Sequence, residues 1–437
     1  MVSLTRNLLR QAVSILILWH VLALPARGTS DKLFDGRNSV TAEALSRLAL
    51  TRNPGVKARE AAAQAAQFRV APAGALDDPT LNYAFAPATA DSRRKFQQVV
   101  ELSQPLPWPG KLGLRQVAAR RRAAAAIQDT GEWRLEVGAA AKSLFSEWAY
   151  VHRALAINRV HRRLLEDLRH IAETRYAAGL AGQQDALQAE VARTRLATAA
   201  LTLERRRKET RARINALLNR PSQAKVPPPA PLPGPVSPPR LAALQRIAVQ
   251  THPALARLRA QVAEAEAQKD LARKDFYPDF RVKAAYNNLW EDTDKRWTVG
   301  FGINLPLNYG GKRSAALDAA RAELQQRRWQ LTEREAQLLG EIEAARSGVQ
   351  ETEAIIGAYR RRLLPLARDS LAAARADYRA GAGPFINVID AERERLRTED
   401  GLARVRADYL RRLAELERRV GAPMADAFEA SNFEAKP

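Results

Sequence analysis

The 437-residue chain has no cysteine, two methionines and five histidines. Disulfides, thiolate-ligated metals, thiol nucleophiles and a lipid-modified N-terminal cysteine are therefore excluded, and little is left for a soft-metal relay. Aromatics are only 6% of residues, although 46% are hydrophobic. With alanine and arginine abundant, this favours long helices over a compact sheet core. The sequence contains no P-loop, GxSxG, HExxH or GxGxxG motif, so neither an enzyme nor a cofactor is expected. His152, His161 and His170 look like a row, but a step of nine residues turns a helix by about 900° and puts neighbours on opposite faces. They cannot share one metal ion.

Long uncharged runs are also missing, except at the start. Arg6 and Arg10 precede an apolar stretch from Ala12 to Leu24, and Ala26-Arg27-Gly28 follows it. The stretch is shorter than the roughly 20 residues of a spanning helix, so residues 1–28 read as an export signal. Lys and Arg number 70 against 48 Asp and Glu, a net charge of +22; losing Arg6, Arg10 and Arg27 leaves +19. In the cytoplasm this excess would suggest nucleic acid, but it is scattered through helical segments without such a motif. After export it reads as a solvated helix surface, or as attraction for anionic envelope components or solutes.

The most informative feature is a duplication. Pro54, Pro79 and Pro107 recur as Pro253, Pro278 and Pro306, each 199 residues later. Lys111, Tyr176 and Gly179 recur as Lys312, Tyr378 and Gly381 at offsets of 201 to 202. An ordered series of this length marks two repeats, 29–220 and 241–422. Between them, 221–240 holds Pro227-Pro228-Pro229 and Pro238-Pro239, a strap that blocks helix; 423–437 is a tail.

Each repeat opens with a helix (about 41–70 and 241–274). Two stretches of period-two alternation follow, over 80–105 and 279–305. Phe280, Val282, Ala284 and Tyr286 form one apolar face, as do Trp297, Val299, Phe301, Ile303 and Leu305. The first copy is weaker: Leu81, Tyr83 and Phe85, then Phe96, Gln98, Val100 and Leu102. Such stretches fit either a hairpin on a soluble core or tilted membrane strands. Helices over 112–177 and 312–379 come next, each about 100 Å long. Leu317, Leu324, Leu331 and Leu338, then Ile342, Val349, Ile356 and Leu363, recur every seven residues, a coiled-coil seam that shifts midway. Pro365 is expected to bend the second helix. Gly179 and Gly381 stop the helices, and return helices over 184–219 and 385–420 follow. Half the length of the outgoing helices, these could stack end to end with the opening helices.

This duplicated unit resembles the TolC-like outer membrane efflux proteins. The resemblance rests on Asn53-Pro54, Pro107-Trp-Pro-Gly-Lys111, Arg175-Tyr-Ala-Ala-Gly179 with Asp185, and Tyr378-Arg-Ala-Gly381 followed by Val388-Ile-Asp390, and it covers about 40–422. The Pro-Gly-Lys strand exit looks most like the heavy-metal (cobalt–zinc–cadmium) branch. The family implies a mainly α chain with a small β part. Its long-helix hairpins form a trimeric helical barrel, and four strands per chain join a 12-stranded barrel in the outer membrane of a Gram-negative bacterium. The function implied is the exit duct of a tripartite system, working as a homotrimer in outer-membrane lipid with a periplasmic adaptor (membrane fusion) protein and an inner-membrane pump, and with no nucleic acid. The alternative is an exported coiled-coil adaptor or scaffold without a pore.

For the periplasmic tip the resemblance points to Tyr176, Gly179, Asp185, Tyr378, Arg379, Gly381, Asn387 and Asp390. Tyr378 and Asp185 match positions that tie neighbouring helices shut. Asp390 matches one of two entrance aspartates, and Asn387 stands at the other. Gly383 replaces an arginine found in some members, leaving that role to Arg379. Asp390 alone would equally suit a solvated helix start, where an acid complements the dipole.

Overall fold

The computed structural model describes residues 34, 38–86, 97–290 and 292–424. The expected signal segment, Phe96, Glu291 and the tail from 425 onward lie outside the described residues.

Helix α1 (Ala42–Arg52) starts at Thr41, whose hydroxyl accepts from the Ala44 amide at 3.1 Å. Where the sequence suggests one opening helix, there are two: α2 (Pro54–Phe68) follows α1 after a break at Asn53, and α3 (Val70–Ala73) is a single turn. The proline ring forces the residue before it out of the helical region, and Asn53 has ψ 123°. The same division recurs in the second repeat, described below.

Strands β1 (Thr80–Ala86) and β2 (Gln97–Leu106) lead into α4, 67 residues from Lys111 to Ala177. Its length of about 100 Å is possible because no proline interrupts it. Gly179, at φ +72°, then reverses the chain: the Leu180 amide donates to the Arg175 carbonyl at 2.8 Å. Such a left-handed position costs glycine nothing. Helix α5 (Gln183–Leu217) runs back along α4.

In the second repeat α6 (Leu241–Thr251) and α7 (Pro253–Lys274) are separated at His252, where ψ is 125°. Strands β3 (Asp279–Asn287) and β4 (Trp297–Asn304) come next. Helix α8 (Lys312–Ala358) passes through one π turn, Tyr359–Leu363, into α9 (Leu364–Ala380), and α10 (Phe385–Val420) returns. The π turn is how the helix accommodates Pro365, which has no amide hydrogen to give the preceding turn. Leu324, Leu338, Ile342, Val349 and Ile356 of the seven-residue seam are buried, whereas Leu363, inside the π turn, is 45% exposed.

Opening and return helices do stack end to end. Leu45 of α1 and Val56 of α2 share a core with Val137, Phe145 and Trp148 of α4 and Ile214 of α5. At the joint, the Asn53 carboxamide accepts from the Gly55 amide at 2.9 Å and donates to the Leu217 carbonyl at 3.1 Å. In the other repeat His252 does the same work. Its Nδ1 accepts from the Ala254 amide at 3.1 Å, which leaves Nε2–H for the Arg418 carbonyl at 3.3 Å.

The four strands form one antiparallel sheet in the order β1-β2-β3-β4. Its register puts Leu81, Leu102, Ala284 and Val299 in one row, and Tyr83, Val100, Tyr286 and Trp297 in the next. The aromatic side chains and most of the large aliphatic ones fall on one face. The opposite face carries Asn82, Glu101, Ala285 and Thr298 in one row, with Ser103 and Lys283 in the next. Among the described residues no core covers the apolar face: Val299 is 82% exposed, Trp297 69% and Leu81 68%. Among the described residues, β1 and β4 each keep one unpaired edge.

Candidate functional site: the hairpin tips and the seam above them

Two glycine turns bring the tips of the helix pairs together. Tyr378, on the last turn of α9, is buried, and its hydroxyl donates to Asp185 Oδ2 at 2.9 Å, joining the second repeat to the first. Phe385 packs against the Tyr378 ring at 4.9 Å. Burial, then the neighbouring Asp185 carboxylate, pushes the phenol pKa up to about 12, so the tyrosine stays a neutral donor. Arg175 closes the other side. Its guanidinium lies 5.0 Å from the Tyr378 ring centre, and Nη1 donates to the Arg379 carbonyl at 2.9 Å. The tip is therefore a cross-repeat tie built on Asp185, Tyr378, Phe385 and Arg175.

The other anticipated residues are not drawn into this tie. Tyr176 is half exposed, and the Arg379 side chain faces outward, with only its carbonyl engaged. Gly179 and Gly381 hold the turns at φ +72° and +74°. Asn387 and Asp390 are exposed near the start of α10, and Asp390 pairs with Arg393 at 3.0 Å. Asp390 is thus partly screened by its own helix neighbour.

Two features escape the sequence reading. Arg175 stands inside the Arg175-Tyr-Ala-Ala-Gly179 motif, but its reach to α9 depends on how the repeats dock. The second is His161, fully buried on α4 between two carboxylates of α10: Glu392 Oε1 at 2.8 Å from Nδ1 and Glu399 Oε2 at 3.4 Å from Nε2. Burial alone would lower the imidazole pKa, but the two hydrogen-bonded carboxylates outweigh it and raise it. His161 and Arg395 in turn hold Glu399 down to about 2. Because its two nitrogens point to different carboxylates, His161 works as an ionic bridge between the repeats. His170 is exposed and His152 half-buried.

At the far end of the long helices, Lys111 is buried with Nζ 3.0 Å from both oxygens of Asp279 and 3.1 Å from Asp275. Trp108 stacks on Tyr277 at 5.0 Å and donates its amide to Asp279 at 2.8 Å. The Pro-Gly-Lys segment therefore clamps the first repeat's strand exit to the second repeat's strand entry.

Residues 244–422 match the family described as outer membrane efflux protein. That match covers the second repeat. Over 189 residues it is 25% identical to the alkaline protease secretion protein AprF of Pseudomonas aeruginosa, covering 42% of this chain and 39% of that protein. The chain thus spans about two fifths of the length of the curated relative it matches. The fold likeness reaches across both repeats. The outer-membrane channel OprN superposes with a TM-score of 0.75 at 18% identity, covering 90% of this chain and 92% of that one. The outer membrane protein VceC of Vibrio cholerae gives 0.73 at 20% identity, covering 88% and 96%. Helical hairpins carrying a four-stranded sheet are thus a fold that this chain shares with those two structures.

Proposed function

We propose that this efflux-family chain is one third of an outer-membrane exit duct, a homotrimer that passes solutes from the periplasm to the outside of a Gram-negative cell. The observation that carries this reading is the sheet. Its contiguous apolar face is exposed while its other face is polar, as lipid outside and water inside require. Its two free edges cannot persist in lipid, where every backbone donor and acceptor needs a partner. Three copies pooling four strands each close a 12-stranded barrel, and the helices beneath, about 100 Å long, form the periplasmic tunnel.

The repeats give the closing register. The 199-residue offset maps β2 onto β4 and β3 onto β1. The observed pairs Gln104 with Val282 and Leu102 with Ala284 then become Ile303 opposite Tyr83 of the partner subunit, and Phe301 opposite Phe85 of the partner subunit. Every transferred pair keeps apolar residues on the lipid side, which a one-residue slip would reverse. In this reading the tie of Tyr378 to Asp185 holds the tip narrow. Asp390 contributes to a charged ring at the entrance, and the tip meets a periplasmic adaptor and an inner-membrane pump. A poreless scaffold would have no use for an exposed apolar sheet face.

Metals, drugs and proteins all fit such a duct as cargo; the likeness of the Pro-Gly-Lys exit to the heavy-metal branch favours metal cations, and metal and drug tolerance of a deletion strain against its parent tests that. Purified trimer in a planar bilayer tests the duct itself: step currents are expected, and their absence contradicts the reading. Asp390→Asn should lower cation preference, though only modestly because Arg393 already screens the carboxylate; an unchanged reversal potential removes Asp390 from the entrance.

A further inference from the structure

The two repeats place the same helix in different company. Among the described residues, α7 of the second repeat is wedged between α4 and α8, whereas its equivalent α2 packs chiefly on α4. The consequence shows at matched positions: Ala267 of α7 is 5% exposed, while Phe68, 199 residues earlier, is 78% exposed. Pro54, Ala58 and Ala61 are exposed along the same side of α2. Three small residues leading to one aromatic make a strip that another helix can approach closely.

The contact of α7 with α4 crosses from one repeat to the other. A Cβ placed on Gly131 would lie 3.2 Å from the Pro253 Cβ, so the two helices almost touch there. Beside it Arg257 pairs with Glu132 at 3.2 Å, and nearer the strands Lys111 is held by Asp275 and Asp279. Each member has a counterpart in the other repeat. Moved on by 201 residues, Gly131 and Glu132 become Thr332 and Glu333 of α8, both exposed. Moved back by 199, Pro253 and Arg257 become Pro54 and Ala58, with the exposed Lys57 beside them. Lys111 becomes Lys312, and each lysine opens its helix directly after a left-handed glycine, Gly110 at φ +92° and Gly311 at +73°. Asp275 and Asp279 flank Pro278, and the matching loop at Pro79 carries Asp77 and Asp78, both exposed. Gln104 fixes that loop, donating its side-chain amide to the Asp77 carbonyl at 2.7 Å. The offset changes from 201 at Lys312 to 202 at Tyr378, and the π turn between them takes up the extra residue.

We propose that the seam between the repeats is built a second time between copies of the chain. Beside α8, the α2 helix of the next copy takes the place that α7 takes beside α4. Thr332 then meets Pro54 of the partner subunit, Glu333 lies near Lys57 of the partner subunit, and Lys312 is clamped by Asp77 of the partner subunit and Asp78 of the partner subunit. The proposal rests on the trimeric reading and adds to it a contact surface on the periplasmic side of the strands. Charge argues for a second copy as the occupant: Lys312 and Glu333 on α8 face acid and base in the matching order along α2 and its loop. Opposite charges in register draw copies together and reject a shifted docking.

Oxidative cross-linking of the full chain in detergent tests the seam. Pro54→Cys with Thr332→Cys should give a covalent trimer on a denaturing gel, because the contact it copies brings two Cβ positions within reach of a disulfide. Pro54→Cys with Gln337→Cys, on another side of α8, should leave monomer. Lys312→Glu should shift trimer towards monomer by about tenfold or more, and adding Asp77→Lys and Asp78→Lys should restore it. Monomer alone from the first cysteine pair, as when another segment of the same chain covers α2, overturns the seam, and so does equal cross-linking by both pairs. An unchanged trimer yield for Lys312→Glu, or a loss that the reversed charges do not rescue, overturns the clamp. The strand edges separate this proposal from the reading beneath it. Cross-linking of Ile303→Cys to Tyr83→Cys without the helix pair keeps the barrel and removes the seam, whereas failure of both contradicts the trimer itself.

Discussion

In the first repeat the outgoing helix runs 67 residues without interruption, whereas in the second the same path is broken by a π turn ahead of Pro365. Their surroundings differ too. Helix α4 packs against α1, α2, α5, α7 and α10, and small residues such as Ala141, Ala154 and Ala172 let those neighbours approach. Among the described residues the α8–α9 path packs chiefly on α6, α7 and α10, meeting α4 and α5 near the tip, and leaves Trp329 and Leu366 exposed. On the opposite flank, α5 leaves Leu187, Val191 and Leu201 exposed. One helix is interior and the other terminal, as in a sector cut from a ring. In the proposed trimer the exposed stripes and the strand edges are the two faces at which copies of the chain meet.

The largest expected effect probes where the sector is welded. His161→Gln leaves Glu392 and Glu399 buried beside a neutral amide, and should cost about 3–5 kcal/mol, read by thermal melting in detergent. It should also change the pH profile. A raised native pKa gives stability that is complete below the unfolded value near 6.5 and is lost as pH rises through the native value. The gap between wild type and variant must therefore narrow as pH rises; a constant gap contradicts the ionic bridge.

Next comes the seam of the terminal helix. Leu338→Ala, at a fully buried position, should cost about 2–5 kcal/mol. The exposed Leu366→Ala should cost little in a monomer and more in an assembled trimer, measured by melting before and after assembly. Equal costs in both states would mean that α9 has no partner. Tyr378→Phe removes one hydrogen bond, roughly 1 kcal/mol, and should raise single-channel open probability without changing assembly.

The smallest effect compares the two stacking joints. His252→Asn installs the side chain that the first repeat uses, and should shift stability by less than about 1 kcal/mol near neutral pH. Burial lowers the His252 pKa, so its contribution is complete above about 6.5 and lost as pH falls toward the native value, the opposite sign to His161. The Asn variant should lose that acid sensitivity; if it persists, His252 is not the group that titrates.

Much of this fold can be read in the sequence because its signals are local and doubled. The glycine stops, the proline strap and the period-two stretches each identify themselves within ten residues, and the second copy checks the first. The break at Asn53 and His252 was written there too, in the proline that follows each, but a continuous apolar pattern masks it. The π turn was legible only as a proline in a long helix, since a bend and a π turn leave the same trace. At the tip, Tyr378 and Asp185 could be named from their motifs. Arg175 with Tyr378, and His161 with Glu392, are pairs separated by about 200 residues, and no spacing rule links them.

The sector account is tested most directly by cross-linking the two strand edges in this naturally cysteine-free chain. Ile303→Cys combined with Tyr83→Cys should, on oxidation, yield a covalent trimer on a denaturing gel. Ile303→Cys with Ala84→Cys, one residue out of register, should not. Monomer alone from the first pair, or equal cross-linking by both, would contradict the closed barrel of three sectors.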